Sequence, residues 1–169
     1  DIGIEALTIH GRTRVQMYKG EANWKYIADV KNNSRIKIPI FGNGDIDSPE
    51  KAVEYKNRYG VDGIMIGRAT IGYPWFFNEV KHFIATGEHL PVPSIKDRVE
   101  IAREHLIMSI DWKGQNLGIA EMKRHYTNYF RGISHFKEFR TKLVSTFDLQ
   151  EILDTLQYIE EHEDEFQFA

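Results

Sequence analysis

The chain has 169 residues, is 41% apolar and 28% charged, and carries a net charge of −3. That is the composition of an ordinary soluble globular protein with one sizeable domain or two small ones. No apolar run approaches a membrane span, so no membrane partner is expected; the absence of cysteine excludes disulfides and thiol catalysis by these residues.

The charge is unevenly spread. Beyond Lys142 there are eight acidic residues and no Lys or Arg, so the remainder holds 22 basic against 17 acidic residues, a net of +5. A mildly basic body with an acidic tail permits a polyanionic partner without requiring one.

The chain does not open on methionine, and Asp1-Ile2-Gly3 reads as a helix exit with Gly as its cap. We therefore expect a piece of a larger domain. Glu5–Ile9 follows as a strand and ends in His10-Gly11-Arg12-Thr13-Arg14. A His at the carboxyl end of such a strand sits where ligands bind in α/β folds, with Arg12 and Arg14 flanking the same mouth. The alternative is a capping His with two solvated arginines. Asn23 caps a helix over Trp24, Ile27, Ala28 and Val30, which have helical spacing.

The most informative stretch is Ile38-Pro39-Ile40-Phe41-Gly42-Asn43-Gly44-Asp45-Ile46. A strand is expected over Ile36–Phe41, with the apolar, β-branched composition of a buried parallel strand. The Gly-Asn-Gly-Asp break permits positive φ and close approach of another group to the backbone. Ser48-Pro49-Glu50 then starts a helix that runs to about Tyr59 and closes at Gly60. Strand, glycine turn and helix start together present backbone N–H groups to an anion; a tight turn that binds nothing is the other reading. A second unit repeats the pattern: strand Val61–Ile66, then Gly67-Arg68, where a guanidinium suits phosphate. The first part thus reads β-α-β-α-β with parallel strands. Pro74 suits the first turn of a helix to about Ala85, ended by Gly87, with Trp75, Phe76 and Phe77 expected in the core.

Leu90-Pro91-Val92-Pro93 is the clearest linker. It separates expected domains at 1–90 and 94–169. Helices are expected over about 94–113, 116–131, 135–144 and 148–163, an all-α helical module. Lys123, Arg124, Arg131, Lys137, Arg140 and Lys142 crowd together with Glu138 as the only acid in that span, and Tyr126, Tyr129 and Phe130 are interleaved. Such a face suits RNA phosphates, and exposed aromatics stack on bases. A solvated basic face over an aromatic core is the alternative.

Four ordered pieces resemble the FMN-dependent tRNA-dihydrouridine synthases. They are Leu7-Thr8-Ile9-His10-Gly11-Arg12-Thr13-Arg14, Gly42-Asn43-Gly44-Asp45-Ile46, Gly63-Ile64-Met65-Ile66-Gly67-Arg68-Ala69 with Pro74-Trp75-Phe76-Phe77, and Gly118-Ile119-Ala120-Glu121-Met122-Lys123-Arg124-His125. Tyr73 departs from the pattern. The resemblance implies an α/β chain: the C-terminal part of a flavin-binding (β/α)8 TIM barrel, then an all-α helical bundle domain that binds tRNA. It implies that His10 touches the flavin ring, that Gly42, Asn43, Gly44 and Asp45 line its ribityl and phosphate end, and that Gly67 and Arg68 close on the phosphate. Arg12, Arg14, Lys123, Arg124, Arg131 and Arg140 would face RNA. The chemistry implied is NADPH reduction of FMN and hydride transfer to a uridine in tRNA, in the cytoplasm. The family's catalytic Cys would lie upstream, so this chain alone is expected to be inactive. The open edges of a partial barrel would favour self-association. Another FMN or sugar-phosphate barrel oxidoreductase, or a non-catalytic RNA-binding module, would share some of these features.

Overall fold

A computed structural model describes residues 3–168. The helix exit expected at Asp1-Ile2-Gly3 rests on Asp1 and Ile2, which lie outside the described residues. The fold is mixed α/β, with seven α-helices and one three-stranded parallel sheet among the described residues, an arrangement compatible with part of a (β/α)8 barrel. The chain divides into two units: Asp1–Thr70 with Trp75–Leu90, and Ile71–Pro74 with Pro91–Ala169. No helix among the described residues is long and apolar enough to cross a membrane.

The first unit holds the sheet. β1 (Leu7–His10), β2 (Ile40–Asn43) and β3 (Gly63–Met65) lie in that order, with α1 (Lys25–Lys31) and α2 (Pro49–Tyr59) as the crossovers parallel strands need. The register pairs His10 with Asn43 and Asn43 with Met65, so the carboxyl ends of the three strands are level. α3 (Phe76–Thr86) follows β3.

The second strand lies further along than Ile36–Phe41. Pro39 has no N–H to give a ladder; its carbonyl accepts the Leu7 N–H at 3.0 Å, and the Asp62 carboxylate takes the Ile40 N–H at 2.7 Å. Pairing then runs on through Gly42 and Asn43, residues expected in a turn. β3 is correspondingly shorter than Val61–Ile66.

The caps match the sequence chemistry. The Ser48 hydroxyl accepts the Lys51 N–H at 3.2 Å, Pro49 opens α2, and Gly60 closes it at φ 63°. Gly87 ends α3 in the same left-handed conformation. In α3, Phe76 and Val80 are buried at i and i+4, which turns Phe77 outward, 46% exposed; this corrects the expectation that Phe77 is core.

The second unit contains α4 (Ile95–Lys113), α5 (Gln115–Tyr129), α6 (Lys137–Ser145) and α7 (Leu149–Glu161). α4 opens on a reciprocal capping box between Ser94 and Asp97. Helices α4 and α5 join through Gly114 and pack so closely that a Cβ on Gly118 would lie 2.8 Å from the Ile110 nitrogen. Val99, Ala102 and Leu106 of α4 meet a core that includes Ile119, Met122 and Tyr126 of α5, Leu143 of α6 and Ile152, Leu156 and Ile159 of α7. Helix α5 stops at Tyr129, two residues before its expected end. The buried Arg98 guanidinium there donates through Nη1 to the Tyr129 carbonyl at 2.9 Å, serving an acceptor that the helix cannot.

Candidate functional site

The level carboxyl ends of β1, β2 and β3 bring three sequence segments together. His10 ends β1, Asn43 ends β2, and Gly67-Arg68 follow β3. The Asn43 side-chain amide donates to the Met65 carbonyl at 2.7 Å, tying β2 to β3 across the site. His10 Nδ1 accepts the backbone N–H of Arg12 at 2.9 Å. In the neutral imidazole this assigns the proton to Nε2, which makes that atom a donor.

Asp45 sits at the centre, at φ 55°. Its Oδ1 accepts from Arg12 Nη1 at 2.6 Å and from Arg68 Nη2 at 2.7 Å. Its Oδ2 accepts from Arg12 Nη2 at 2.7 Å and from the Ala22 N–H at 2.7 Å. Arg12 Nη2 also donates to the Gly20 carbonyl at 2.5 Å, so one carboxylate and one guanidinium fasten the loop of residues 11–22 to the turn after β2. Partial burial by itself would raise the Asp45 pKa. Hydrogen bonds from Arg12 and Ala22, with the charges of Arg12 and Arg68, outweigh it and hold the carboxyl below the usual aspartate range.

This geometry redistributes the roles expected from sequence. The Arg12 side chain is 6% exposed and committed to Asp45, so it is an internal anchor and not a surface cation for RNA. All four hydrogen bonds to Asp45 come from the chain's own donors, and of the two arginines only Arg68 is open to a ligand. Gly42 has no room above it: an added Cβ would lie 2.1 Å from the Trp24 ring. Trp24 is 2% exposed, stacks on Tyr59 and donates from Nε1 to the Gly44 carbonyl at 2.9 Å. A Cβ on Gly44, at φ 134°, would lie 2.6 Å from Ala22. Close approach at Gly42 and Gly44 is therefore made by the protein itself.

Gly67 differs, since an added Cβ there meets nothing within 4 Å. Arg68 beside it is 55% exposed, touches Asp45 through one nitrogen, and lies 5.1 Å from the Tyr18 ring centroid. Open backbone next to an exposed guanidinium is the chemistry of an oxyanion site. Next to it, His10, Arg12, Thr13, Arg14, Met17 and Tyr18 line a cleft of about 370 Å³. Arg14 is exposed in that lining. Tyr18 was not singled out by sequence; an aromatic in a polar loop gives no periodic signal.

In the second unit, Arg124 and Arg131 are exposed. Lys123 Nζ lies 3.4 Å from the Phe147 ring centroid, and Phe147 is 51% exposed. Arg140 is half-buried and donates to the Phe130 carbonyl at 3.3 Å. Tyr126, Tyr129 and Phe130 are buried at 0%, 2% and 0% exposure. They belong to the core and are not platforms for bases.

A family profile described as dihydrouridine synthase (Dus) matches residues 1–166. The chain belongs to the dihydrouridine synthase family. It is 39% identical over 138 residues to a "Probable tRNA-dihydrouridine synthase" of Rickettsia bellii, covering 82% of this chain and 42% of that protein. It is 42% identical over 148 residues to "tRNA-dihydrouridine synthase B" of Pseudomonas putida, covering 88% and 43%. Against "Probable tRNA-dihydrouridine synthase 1" of Synechocystis sp. the identity is 38% over 156 residues, covering 92% and 43%. The chain thus spans about two fifths of the length of the dihydrouridine synthases it matches.

Proposed function

We propose that this chain supplies the phosphate-holding end of the flavin site and an RNA-binding surface of a tRNA-dihydrouridine synthase. On this reading residues 1–90 are the last βα units of a (β/α)8 TIM barrel, and residues 94–169 are a helical bundle domain that holds tRNA. The reading is supported by membership of the family and by one geometric observation: open backbone at Gly67 beside the exposed Arg68 guanidinium, at the carboxyl ends of parallel strands.

The residues present fit an FMN phosphate at that point. Gly67 admits close approach and Arg68 supplies the charge, while Asp45, flanked by Arg12 and Arg68, orients Arg68 without meeting the phosphate itself. The neutral Asn43 side chain holds β3 level with β2, so Gly67 follows in a fixed place. His10 offers an Nε2–H donor toward the cleft it lines, where a flavin-ring or uracil carbonyl oxygen would accept it. When bound, FMN reduced by NADPH supplies a hydride for the uridine C5=C6 bond. The chain contains no cysteine, so the proton donor expected of this family would come from outside these residues. Arg14, Lys123, Arg124 and Arg131 supply positive charge to RNA phosphates.

The test is whether the full-length protein purifies with flavin and reduces uridine in tRNA at the expense of NADPH. Dihydrouridine formation lost in a Gly67→Val variant that still folds supports the assignment. Full activity in that variant moves the phosphate elsewhere.

A further inference from the structure

Shortly after Arg68, the chain joins the second unit for a short segment, Ile71–Pro74. Gly72 lies directly on helix α5. A Cβ there would sit 2.3 Å from the His125 carbonyl oxygen, 2.9 Å from Asn128 Cβ and 3.0 Å from the Tyr129 nitrogen, and φ is 65°, so only glycine fits. The Gly72 N–H donates to His125 Nδ1 at 3.1 Å, and Tyr73 stands 5.6 Å from the Arg98 guanidinium.

His125 Nδ1 is the acceptor in that contact, and Nε2 faces the Arg124 Nε–H at 3.3 Å, so both ring nitrogens stand opposite N–H donors. The doubly protonated ring carries N–H at both nitrogens, so its Nδ1 proton would meet the Gly72 N–H donor against donor. The surroundings oppose that proton as well. His105 of α4 lies edge-on to His125 with ring centroids 4.6 Å apart, and Arg124 Nε lies 3.3 Å from His125 Nε2. The other charged groups facing the pair are Lys113 of α4 and Glu121 of α5, which are ion-paired to each other. His105 in turn contacts the Tyr129 hydroxyl at 3.1 Å. Burial first, then the charges of His105 and Arg124, against the pull of Glu121, push the His125 pKa down to about 4.

We propose that the His105–His125 pair is a proton-sensitive latch: neutral His125 holds the segment Ile71–Pro74 on α5 through Gly72, and protonation of Nδ1 releases it. No part of this rests on the flavin or tRNA assignment.

The sign follows from linkage. The released state has an ordinary His pKa near 6.5, and the latched state has one near 4. Between those values the released state binds the extra proton, so latching weakens as pH falls, by up to about tenfold per pH unit. Above about 6.5 the latch is complete and independent of pH.

The experiment is residue-resolved amide exchange and histidine titration on the isotopically labelled chain from pH 7.5 to 4. We expect the Gly72 amide to lose protection progressively below about pH 6.5, toward about tenfold per unit, while amides buried in α4 such as Leu106 keep theirs. His125→Asn places a non-titrating acceptor near Nδ1 and should make Gly72 protection flat across the range. His125→Ala should leave Gly72 unprotected at every pH. Gly72 protection in the wild type that does not change as pH falls overturns the proposal. So does a His125 that titrates at its ordinary value without disturbing Gly72, a result that needs no variant to fold.

Discussion

Arg12 and Asp45, 33 residues apart, form a bidentate pair in which both guanidinium Nη atoms meet both carboxylate oxygens at 2.6 and 2.7 Å. Removing the acid leaves the 6%-exposed Arg12 side chain without its counter-charge. Asp45→Ala should therefore destabilise the protein by about 3 kcal/mol, the range for breaking a mostly buried pair from one side. Denaturant unfolding measures it. The wild-type pair should also show in acid. The folded pKa of Asp45 is depressed, so its contribution is present above the ordinary carboxylate pKa and lost as pH falls through the lower folded value. Asp45→Asn should flatten that part of the stability curve.

Three glycines of the site separate by what stands above them. Gly42→Ala forces a methyl into the Trp24 ring, and overpacking of that kind costs about 1–3 kcal/mol. Gly44→Ala meets Ala22 and a positive φ, and should also lose stability. Gly67→Ala meets nothing within 4 Å, so its unfolding midpoint should match the wild type. Equal melting of Gly42→Ala and Gly67→Ala would contradict this account of the turn.

Much of this unit was legible in order and kind. Ser48 with Pro49, Gly60 and Gly87 are local signals, read from residues within one turn of the helix ends they set. What was not legible depends on distance along the chain. Gly42 looked like a place for a ligand because nothing local says that Trp24, 18 positions earlier, fills it. Arg12 looked like a surface cation because Asp45 is remote in sequence. On α5 the alternation of basic and aromatic residues was visible, but only packing shows that Tyr126 and Tyr129 point into the core.

Arg98 is a cation in that core with a defined duty, since it donates to the Tyr129 carbonyl and to the Pro93 carbonyl. Arg98→Met keeps much of the volume and leaves those acceptors to water or to nothing. A loss of about 1–3 kcal/mol is expected from unsatisfied buried carbonyls, read by thermal or urea unfolding, with fraying of α5 seen as early exchange near Tyr129.

The proposed RNA surface yields a contrast between charge and core. Arg124→Ala/Arg131→Ala should weaken tRNA binding and reduce the log–log salt slope by about 0.7–0.9 for each phosphate that the protein no longer neutralises. Melting should be unchanged, because both side chains are exposed. Tyr129→Ala should instead cost about 3–5 kcal/mol of stability, as large buried aromatics do. A salt slope unaltered by the double substitution would return this face to plain solvation.

The central claim is that Gly67 and Arg68 hold the flavin phosphate, and the most direct measurement is FMN affinity of the full-length protein beside its Arg68→Ala variant. A charge-assisted contact is worth about 1.5–3 kcal/mol, so the variant should bind FMN about ten- to a hundredfold more weakly at unchanged fold. Riboflavin, which lacks the phosphate, should bind both proteins alike. Equal FMN affinity in the two proteins would contradict the claim.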